Sequence, residues 1–418
     1  MSSSHPPRHL VLFTQHFPYG NKETFIELEL PYLAEAFDTV RVVPAHISGA
    51  SRELPSNVVC DNRLASLSKR DLLQRGVSKT NLRSMIHESK VLLQDSENPR
   101  SFIARSRRLL RFLRAAQKVI LWLEKQDQLN VENTLFYSYW MEATPVGLAF
   151  LAQQNPSFSF VCRTHRWDLY EELYDPAWFP FRNLVLEQAR RIFSISADGV
   201  SYLQSRHPSH GHKVELARLG VHSLGTATPS NDQTLRIVSC SGLTEVKRVH
   251  LIIEALNHLD PIKKTHVEWH HFGDGPLASQ LHTQARELLD DSVRYTFHGH
   301  TPNQEVRKFY VDKPIDLFIN VSASEGVPVS VMEAQSAGIP VIATDVGGTS
   351  EIVNASNGIL ISEQTSPTEI ADHLSKLLDE PAQLDAYRKA SKETWREHSS
   401  ARQQFNGFAQ RLLKEQRF

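Results

Sequence analysis

The sequence predicts an α/β chain of two parallel-sheet domains facing a central cleft. Three observations predict it. At 418 residues the chain exceeds what one ordinary core holds, so two domains are expected. Short apolar runs alternate with helical patterns in both halves, the rhythm of βαβ units and parallel sheets. Between the halves lies SLGTATPSNDQ, residues 223–233, a small, polar, turn-forming stretch that reads as an interdomain linker. The expected division is an amino-terminal domain at 1–224, a linker at 225–234, a second domain at 235–398 and a last helix at 399–418.

The first domain opens with HLVLFT at 9–14, a buried-type strand, followed by the loop QHFPYGNKET, an amphipathic helix at 25–37 and a second strand at 39–44. In a parallel sheet the loop after the first strand faces the ligand crevice. Gly20 in that loop lets the backbone approach a ligand closely, or simply makes a turn. From about 51 to 132 the β-α rhythm gives way to a helical insert rich in Ser, Arg, Lys, Leu and Gln. Its segment 101–125, SFIARSRRLLRFLRAAQKVILWLEK, carries Arg105, Arg107, Arg108, Arg111, Arg114 and Lys118 before its first acid, Glu124. Two readings stand: a helix packed on its own domain with a solvated basic face, or one resting on an anionic membrane surface. Strands resume at 134–139, leading into Trp140-Met141-Glu142, and at 158–163, leading into THRWDLY. His165 stands immediately beyond a strand end, where an imidazole can orient or deprotonate a ligand hydroxyl, or serve the structure alone. A strand at 191–196, a helix at 197–206 and a strand at 213–219 close the sheet.

The second domain restarts with LRIVSC at 235–240, then SGLTEVKR and a helix at 249–256. Lys247 and Arg248 stand near that helix start, placed to neutralise a diphosphate or to act as ordinary surface bases. A strand at 267–272 ends in the turn GDGP, and one at 295–297 ends in His298-Gly299-His300. The run IDLFINV at 315–321 precedes SASEGVPVSVMEAQSAGIPVIATDVGGTSEIV, which breaks at Gly326 and Pro328, reads as helix to Ala337 and re-enters a strand at Val341. Glu325, just before the helix start, can meet whatever the free N–H groups of the first turn hold, a phosphate being a natural guest. Glu333, farther along, can accept hydrogen bonds from sugar or ribose hydroxyls. As a lone pair, two such glutamates are ordinarily solvated surface charges. An amphipathic helix at 367–378 and a helical region at 381–418 follow.

The pattern E-x7-E from Glu325 to Glu333, framed by EGVPVSVMEA and GIPVIATDVGGTSEIV, resembles the signature of the retaining glycosyltransferases of family 4, which have the GT-B fold of two Rossmann-like domains; the resemblance implies that the last helix, 399–418, crosses back to the first domain. GDGP resembles the family's G-x-G-P turn. VCRTHRWDLY is similar to the R-x-H-G-x-D segment of members acting on polysaccharide intermediates, with Arg166 in place of the usual glycine. The loop around Gly20 resembles the family's first loop, with one glycine where many members have two. Lys247 aligns with the phosphate-binding lysine; the usual arginine five or six positions earlier is replaced by Ser241 and Gly242, leaving Arg248 to compensate.

The resemblance implies transfer of a sugar from a nucleotide-sugar donor to an acceptor hydroxyl with retained configuration and no protein nucleophile. It implies Glu325, His165 and Lys247 as the catalytic group. Donor contacts would come from Gly20, Ser241, Lys247, Arg248, Gly273, Gly299, His300, Glu325, Gly326, Val327, Val329 and Glu333. Within that set Glu333 holds the ribose, and Glu325 contacts hydroxyls of the transferred sugar. Lys247 and Arg248 balance charge on the departing phosphate, which the amides of Gly326, Val327 and Val329 also hold, and His165 touches the sugar.

Composition narrows the alternatives. A formal net charge of −1 carries no nucleic-acid signature. Neither G-x-G-x-x-G nor G-x4-G-K-[ST] occurs, which removes the main support for dinucleotide or P-loop readings. No Asp-x-Asp triplet occurs, so no metal cofactor is expected and the nucleotide-sugar is a co-substrate. Cys60, Cys162 and Cys240 are too few and too scattered for a disulfide framework or zinc site, which suits a reducing compartment. MSSSHPPRH has no apolar leader core, and no run reaches membrane length. The expectation is a cytoplasmic protein, peripheral at the inner face of the membrane through 101–125, whose acceptor is a saccharide or lipid-linked saccharide in surface-polysaccharide assembly. The competing expectation is a non-catalytic nucleotide-sugar-binding or scaffold protein of the same fold, suggested by the missing arginine and by Arg166.

Overall fold

The computed structural model describes residues 8–68, 71, 82–94, 99–126 and 129–416. Residues 1–7, read above for a leader, and parts of the helical insert lie outside the described residues. The chain divides into two compact units, Met1–Ala217 with Phe405–Phe418, and Arg218–Gln404.

Unit one holds a seven-stranded sheet: β1 (His9–Thr14), β2 (Thr39–Pro44), β3 (Val58–Cys60), β4 (Thr134–Ser138), β5 (Phe160–Thr164), β6 (Arg191–Ser194) and β7 (Val214–Leu216), in the order β3-β2-β1-β4-β5-β6-β7. All pairings are parallel, with Leu12 of β1 facing Val42 of β2 on one side and Tyr137 of β4 on the other. The central strands are buried on both faces, which is why they read as continuous apolar runs rather than alternations. β3 has no counterpart in the expected strands; three residues at the sheet edge, with Val59 half exposed, leave no pattern to detect. Expected strands at 134–139, 158–163, 191–196 and 213–219 all form with shorter or shifted ladders. Burial runs past the strand ends: Tyr139, Phe158, Ile195 and Leu219 are buried without belonging to a strand.

The basic segment is one helix, Pro99–Glu124, that buries Phe112, Ala116, Val119, Ile120 and Trp122 in the core of unit one. It lies close against the helix Thr144–Gln154, where a Cβ on Gly147 would come within 2.7 Å of the Ala116 carbonyl oxygen. The helix Ala401–Gln416 returns to unit one, as expected. From Phe405 onward it belongs there, with Phe405 against Tyr32 (ring centroids 5.8 Å apart) and Phe408, Ala409 and Leu412 buried among Leu10, Leu12 and Ile26. Beneath the sheet a wholly buried ion pair joins Glu29 and Arg163.

Unit two holds six parallel strands: β8 (Leu235–Cys240), β9 (Val267–Phe272), β10 (Arg294–Phe297), β11 (Leu317–Asn320), β12 (Val341–Thr344) and β13 (Gly358–Ile361), in the order β10-β9-β8-β11-β12-β13. β13 is a second strand without a sequence-based expectation; it pairs with β12 at the other sheet edge. The helix at 367–378 forms as Pro367–Asp379, capped by Ser366 and Glu369 in a reciprocal capping box. The expected helical region at 381–418 breaks into Pro381–Thr394, a π-turn at Trp395–Ser399 and the returning helix.

Both sheets reverse direction once. The chain leaves β1 toward β2 and β4 toward β5 on opposite sides, and in unit two it leaves β8 toward β9 and β11 toward β12 on opposite sides. In open α/β sheets ligands bind beyond the carboxyl ends of strands at such switch points.

Candidate functional site

The switch point of unit two is where its charged site residues meet. The turn Glu245–Lys247 follows β8, and the loop carrying Glu325 follows β11. Lys247 Nζ donates to Glu325 Oε1 at 2.5 Å, an ion pair across 78 positions of sequence, and Asn320 Nδ2 donates to the same oxygen at 3.3 Å. Glu325 is nearly buried, so the pair is screened far less than a surface bridge. Immediately after it, Pro328 caps the helix Val329–Ser336, and the amides of Gly326, Val327 and Val329 find no acceptor among the described residues. Open first-turn donors beside a lysine form an anion-binding arrangement.

The loop is held from three sides. Ala323 N donates to Val246 O at 2.8 Å, which ties the β11 loop to the β8 turn. Thr344 Oγ1 donates to Ser322 O at 2.5 Å. Gly347, at φ +55, lies so close that a Cβ would fall on the Glu325 carbonyl oxygen, while Gly348 N donates to Gly326 O at 2.6 Å. The VGG of the signature is therefore a backbone clamp on the glutamate loop.

Arg248, in the left-handed region at φ 48, donates to the carbonyls of Val321 (2.8 Å), Glu363 (2.7 Å) and, more weakly, Ser322 (3.4 Å). The structure thus places it as a bracket beneath the loop rather than beside Glu325. Burial lowers its pKa from the ordinary guanidinium value, with Glu363 opposing.

Glu333 sits one turn into the same helix, 4 % exposed, and accepts from Asn303 Nδ2 at 2.8 Å. Burial pushes its carboxyl up to about 6, against the lowering effects of Asn303 and Arg307. Its charge also contributes, after burial, to raising the neighbouring Cys240 thiol to about 12. The other residues of unit two expected at the site meet through glycine. Gly273, at φ +138, packs so tightly over Ser241 that a Cβ would overlap the Ser241 carbonyl oxygen, and its amide donates to Gly299 O at 2.9 Å. His300 is exposed beyond that contact.

Gly20 and His165 belong to unit one. Gly20, at φ +68, donates its amide to Ala50 O at 2.9 Å, and a Cβ would reach Ser48 O at 2.9 Å, so the close approach it permits is to its own chain. His165 is buried with its ring against Tyr139 (4.9 Å) and Trp140 (4.5 Å), and neither ring nitrogen has a partner among the described residues. Burial first, then Arg163, hold its pKa well below the imidazole range, so the ring is neutral. Asn303, Asn320 and Gly347 belong to the site without having been expected from the sequence. Only Gly347 left a signal, as half of a Gly-Gly pair; Asn303 reaches Glu333 from 30 positions away, and Asn320 is a single polar residue at the end of an apolar run.

Two switched parallel sheets, one with a helix start of open amides beside buried glutamates, give the chain the GT-B fold. Residues 226–394 match the family model described as glycosyl transferases group 1, so this segment of the chain is similar to that family. Among curated relatives, WcaL of Escherichia coli strain K12, named for colanic acid biosynthesis, is 33% identical over 167 residues, spanning 36% of this chain and 39% of its own. The amylovoran biosynthesis glycosyltransferase AmsK of Erwinia amylovora is 30% identical over 149 residues, 34% of this chain and 36% of its own. The chain thus spans under two fifths of the length of these relatives. In fold it is similar over nearly its whole length to solved structures. HepE of Anabaena in complex with UDP-glucose has TM-score 0.61, 15% identity and coverage of 97% and 99% of the two chains. Sucrose-phosphate synthase of Thermosynechococcus elongatus has TM-score 0.70, 15% identity and coverage of 97% and 98%. No helix among the described residues is long and apolar enough to cross a membrane.

Proposed function

We propose that the chain is a retaining glycosyltransferase that moves a sugar from a nucleotide-sugar to a hydroxyl of a saccharide or lipid-linked saccharide, in surface-polysaccharide assembly. The observation that carries this reading is the Lys247–Glu325 pair set against the open amides of Gly326, Val327 and Val329. An arriving diphosphate draws Lys247 from Glu325, and the freed carboxylate then accepts hydroxyls of the attached sugar. Glu333, on the same helix, is placed to take the ribose. Charge on the leaving phosphate is met by Lys247 and by preorganised amides, so the reaction runs without a divalent cation. Relatives named for colanic acid and amylovoran biosynthesis support the polysaccharide setting.

The test is a thermal-shift screen of UDP-, GDP- and ADP-sugars, followed by release of free nucleotide with and without saccharide acceptor. A ligand bound by the folded state alone raises apparent stability. Expected are a shift with one nucleotide class, acceptor-stimulated release, and no effect of chelator. A shift without any release favours the second reading, a nucleotide-sugar-binding protein without turnover. One observation supports that reading: with Arg248 engaged by backbone carbonyls, Lys247 is left as the diphosphate's cation.

Peripheral membrane binding is part of the same proposal. Arg108 donates to the Trp178 carbonyl at 2.8 Å and Arg111 pairs with Glu142 at 2.8 Å, so both are engaged within unit one. The stripe Ile103, Arg107, Leu110, Arg114 is exposed at helical spacing, with Ile103 49 % and Leu110 46 % accessible. Such a face suits an anionic bilayer. Sedimentation with anionic vesicles should fall on adding salt and on replacing Arg107 and Arg114 by Gln; binding indifferent to both changes removes the membrane from the proposal.

A further inference from the structure

We propose that unit one carries a sugar-ring subsite at its own switch point, with Trp140 as the platform; this rests on the transferase reading and names where the acceptor saccharide is recognised. The residues just beyond β1 and β4, the two strands flanking that switch point, are Gln15-His16 and Tyr139-Trp140-Met141-Glu142. They form a cluster that the donor chemistry does not use.

Trp140 is half-buried and held. Its indole N–H donates to Glu23 Oε1 at 2.5 Å, and its ring is braced by His165 (4.5 Å), Phe25 (5.8 Å) and Tyr139 (5.9 Å). Because its only polar atom is satisfied, what the residue offers a ligand is ring surface. The carboxylate that holds it is a hub. Glu23, buried and in the left-handed region at φ 54, also accepts the amides of Gln15 (3.1 Å), His16 (2.6 Å) and Phe17 (2.7 Å). One charge-assisted set of bonds therefore fixes the platform and the loop after β1 together, which removes ordering cost from binding.

Around the platform stand planar polar groups. Gln15 Nε2 lies 3.5 Å from Glu142 Oε2, and Arg111 pairs with Glu142 Oε1 at 2.8 Å, with the Glu142 side chain 30 % and that of Arg111 58 % exposed. A sugar ring matches this pairing of surfaces: its C–H face lies on an aromatic ring, and its hydroxyls both donate and accept at an amide, a carboxylate and a guanidinium. Trp140 is then a binding residue, and Glu23 a positioning residue that acts through it.

The test is a printed array of oligosaccharides with hexose, deoxyhexose, hexosamine and uronic acid termini, probed with the labelled full chain in the absence of any nucleotide-sugar. The wild type should bind a subset of the array. Trp140→Leu, which keeps apolar volume but removes the ring, should weaken that binding by about tenfold or more, while Trp140→Phe should stay within about threefold. Thermal unfolding of each variant shows whether it folds, and Glu142→Ala, at the exposed rim, provides a second variant expected to weaken binding. A wild type that binds no saccharide on the array, or a folded Trp140→Leu that binds as the wild type does, overturns the proposal. Because no nucleotide-sugar is present, failure of the donor screen leaves this result intact, and the two readings fail separately.

Discussion

Glu325 and Lys247 carry different consequences when changed singly. Replacing Glu325 by Gln removes the charge that holds Lys247 at 2.5 Å and, in the proposed function, the carboxylate that accepts from the donor sugar. Loss of one preorganised electrostatic contact in an active site costs about 10²–10³ in turnover, so Glu325→Gln should lower acceptor-stimulated nucleotide release by that order. Full release from this variant would remove Glu325 from the centre of the proposal. Glu333 makes a pH prediction. Its carboxyl titrates near 6 in the folded chain against an ordinary 4.5, so the folded state holds the extra proton between those values. Its contribution to stability is accordingly full below about 4.5 and is lost as pH rises through about 6. Donor hydroxyls donate best to the ionised form, so nucleotide-sugar affinity should run the opposite way, rising with pH through about 6. Titrations by calorimetry at several pH values should show that inflection in the wild type and lose it in Glu333→Gln.

Loops and short helices explain why some of the site was legible and some was not. The loop carrying Glu325 was legible because its chemistry sits on one contiguous stretch: Glu325, the turn residues, Glu333 and the Gly-Gly pair all lie within 32 positions, from 322 to 353. Local signals also marked most strands, since buried parallel strands are continuous apolar runs. What stayed hidden depends on chain segments far apart. Arg248 looked like a phosphate ligand from its place beside Lys247, yet a left-handed backbone turns its guanidinium onto the carbonyls of Val321 and Glu363. Asn303 reaches Glu333 across 30 positions, and Glu23 reaches Trp140 across 117. The glycine clamp gives the prediction that belongs to this scale. Gly347→Ala places a Cβ on the Glu325 carbonyl in a left-handed conformation, a strain of about 1–3 kcal/mol that the loop relieves by moving Glu325. The variant should stay folded by circular dichroism and lose most of the nucleotide-sugar thermal shift; an undiminished shift would show that the clamp does not position the site.

At the scale of the whole molecule, unit one closes its core with a helix from the far end of the chain. Phe408 is wholly buried, 5.0 Å from the Phe193 ring and 5.6 Å from Tyr137, and the Arg163 guanidinium lies 4.5 Å from its centroid. Arg163 in turn pairs with Glu29 and donates to Ala217 O at 2.7 Å, at the last residue of the unit's first segment. The returning helix, the sheet and the helix Thr24–Ala36 thus meet on one buried charge. Removing Glu29 leaves Arg163 buried without its counter-ion, which costs about 3–5 kcal/mol, whereas replacing both by apolar residues of similar volume is often neutral. Glu29→Ala should therefore lower the denaturation midpoint sharply. Glu29→Leu with Arg163→Met should recover most of that loss, and Phe408→Ala alone should cost about 3–5 kcal/mol through the cavity it leaves. Urea titrations of the three proteins decide the point. If the double variant is as unstable as Glu29→Ala, the pair's geometry rather than its charge balance holds the returning helix, and the core of unit one is built around an interaction that apolar packing cannot replace.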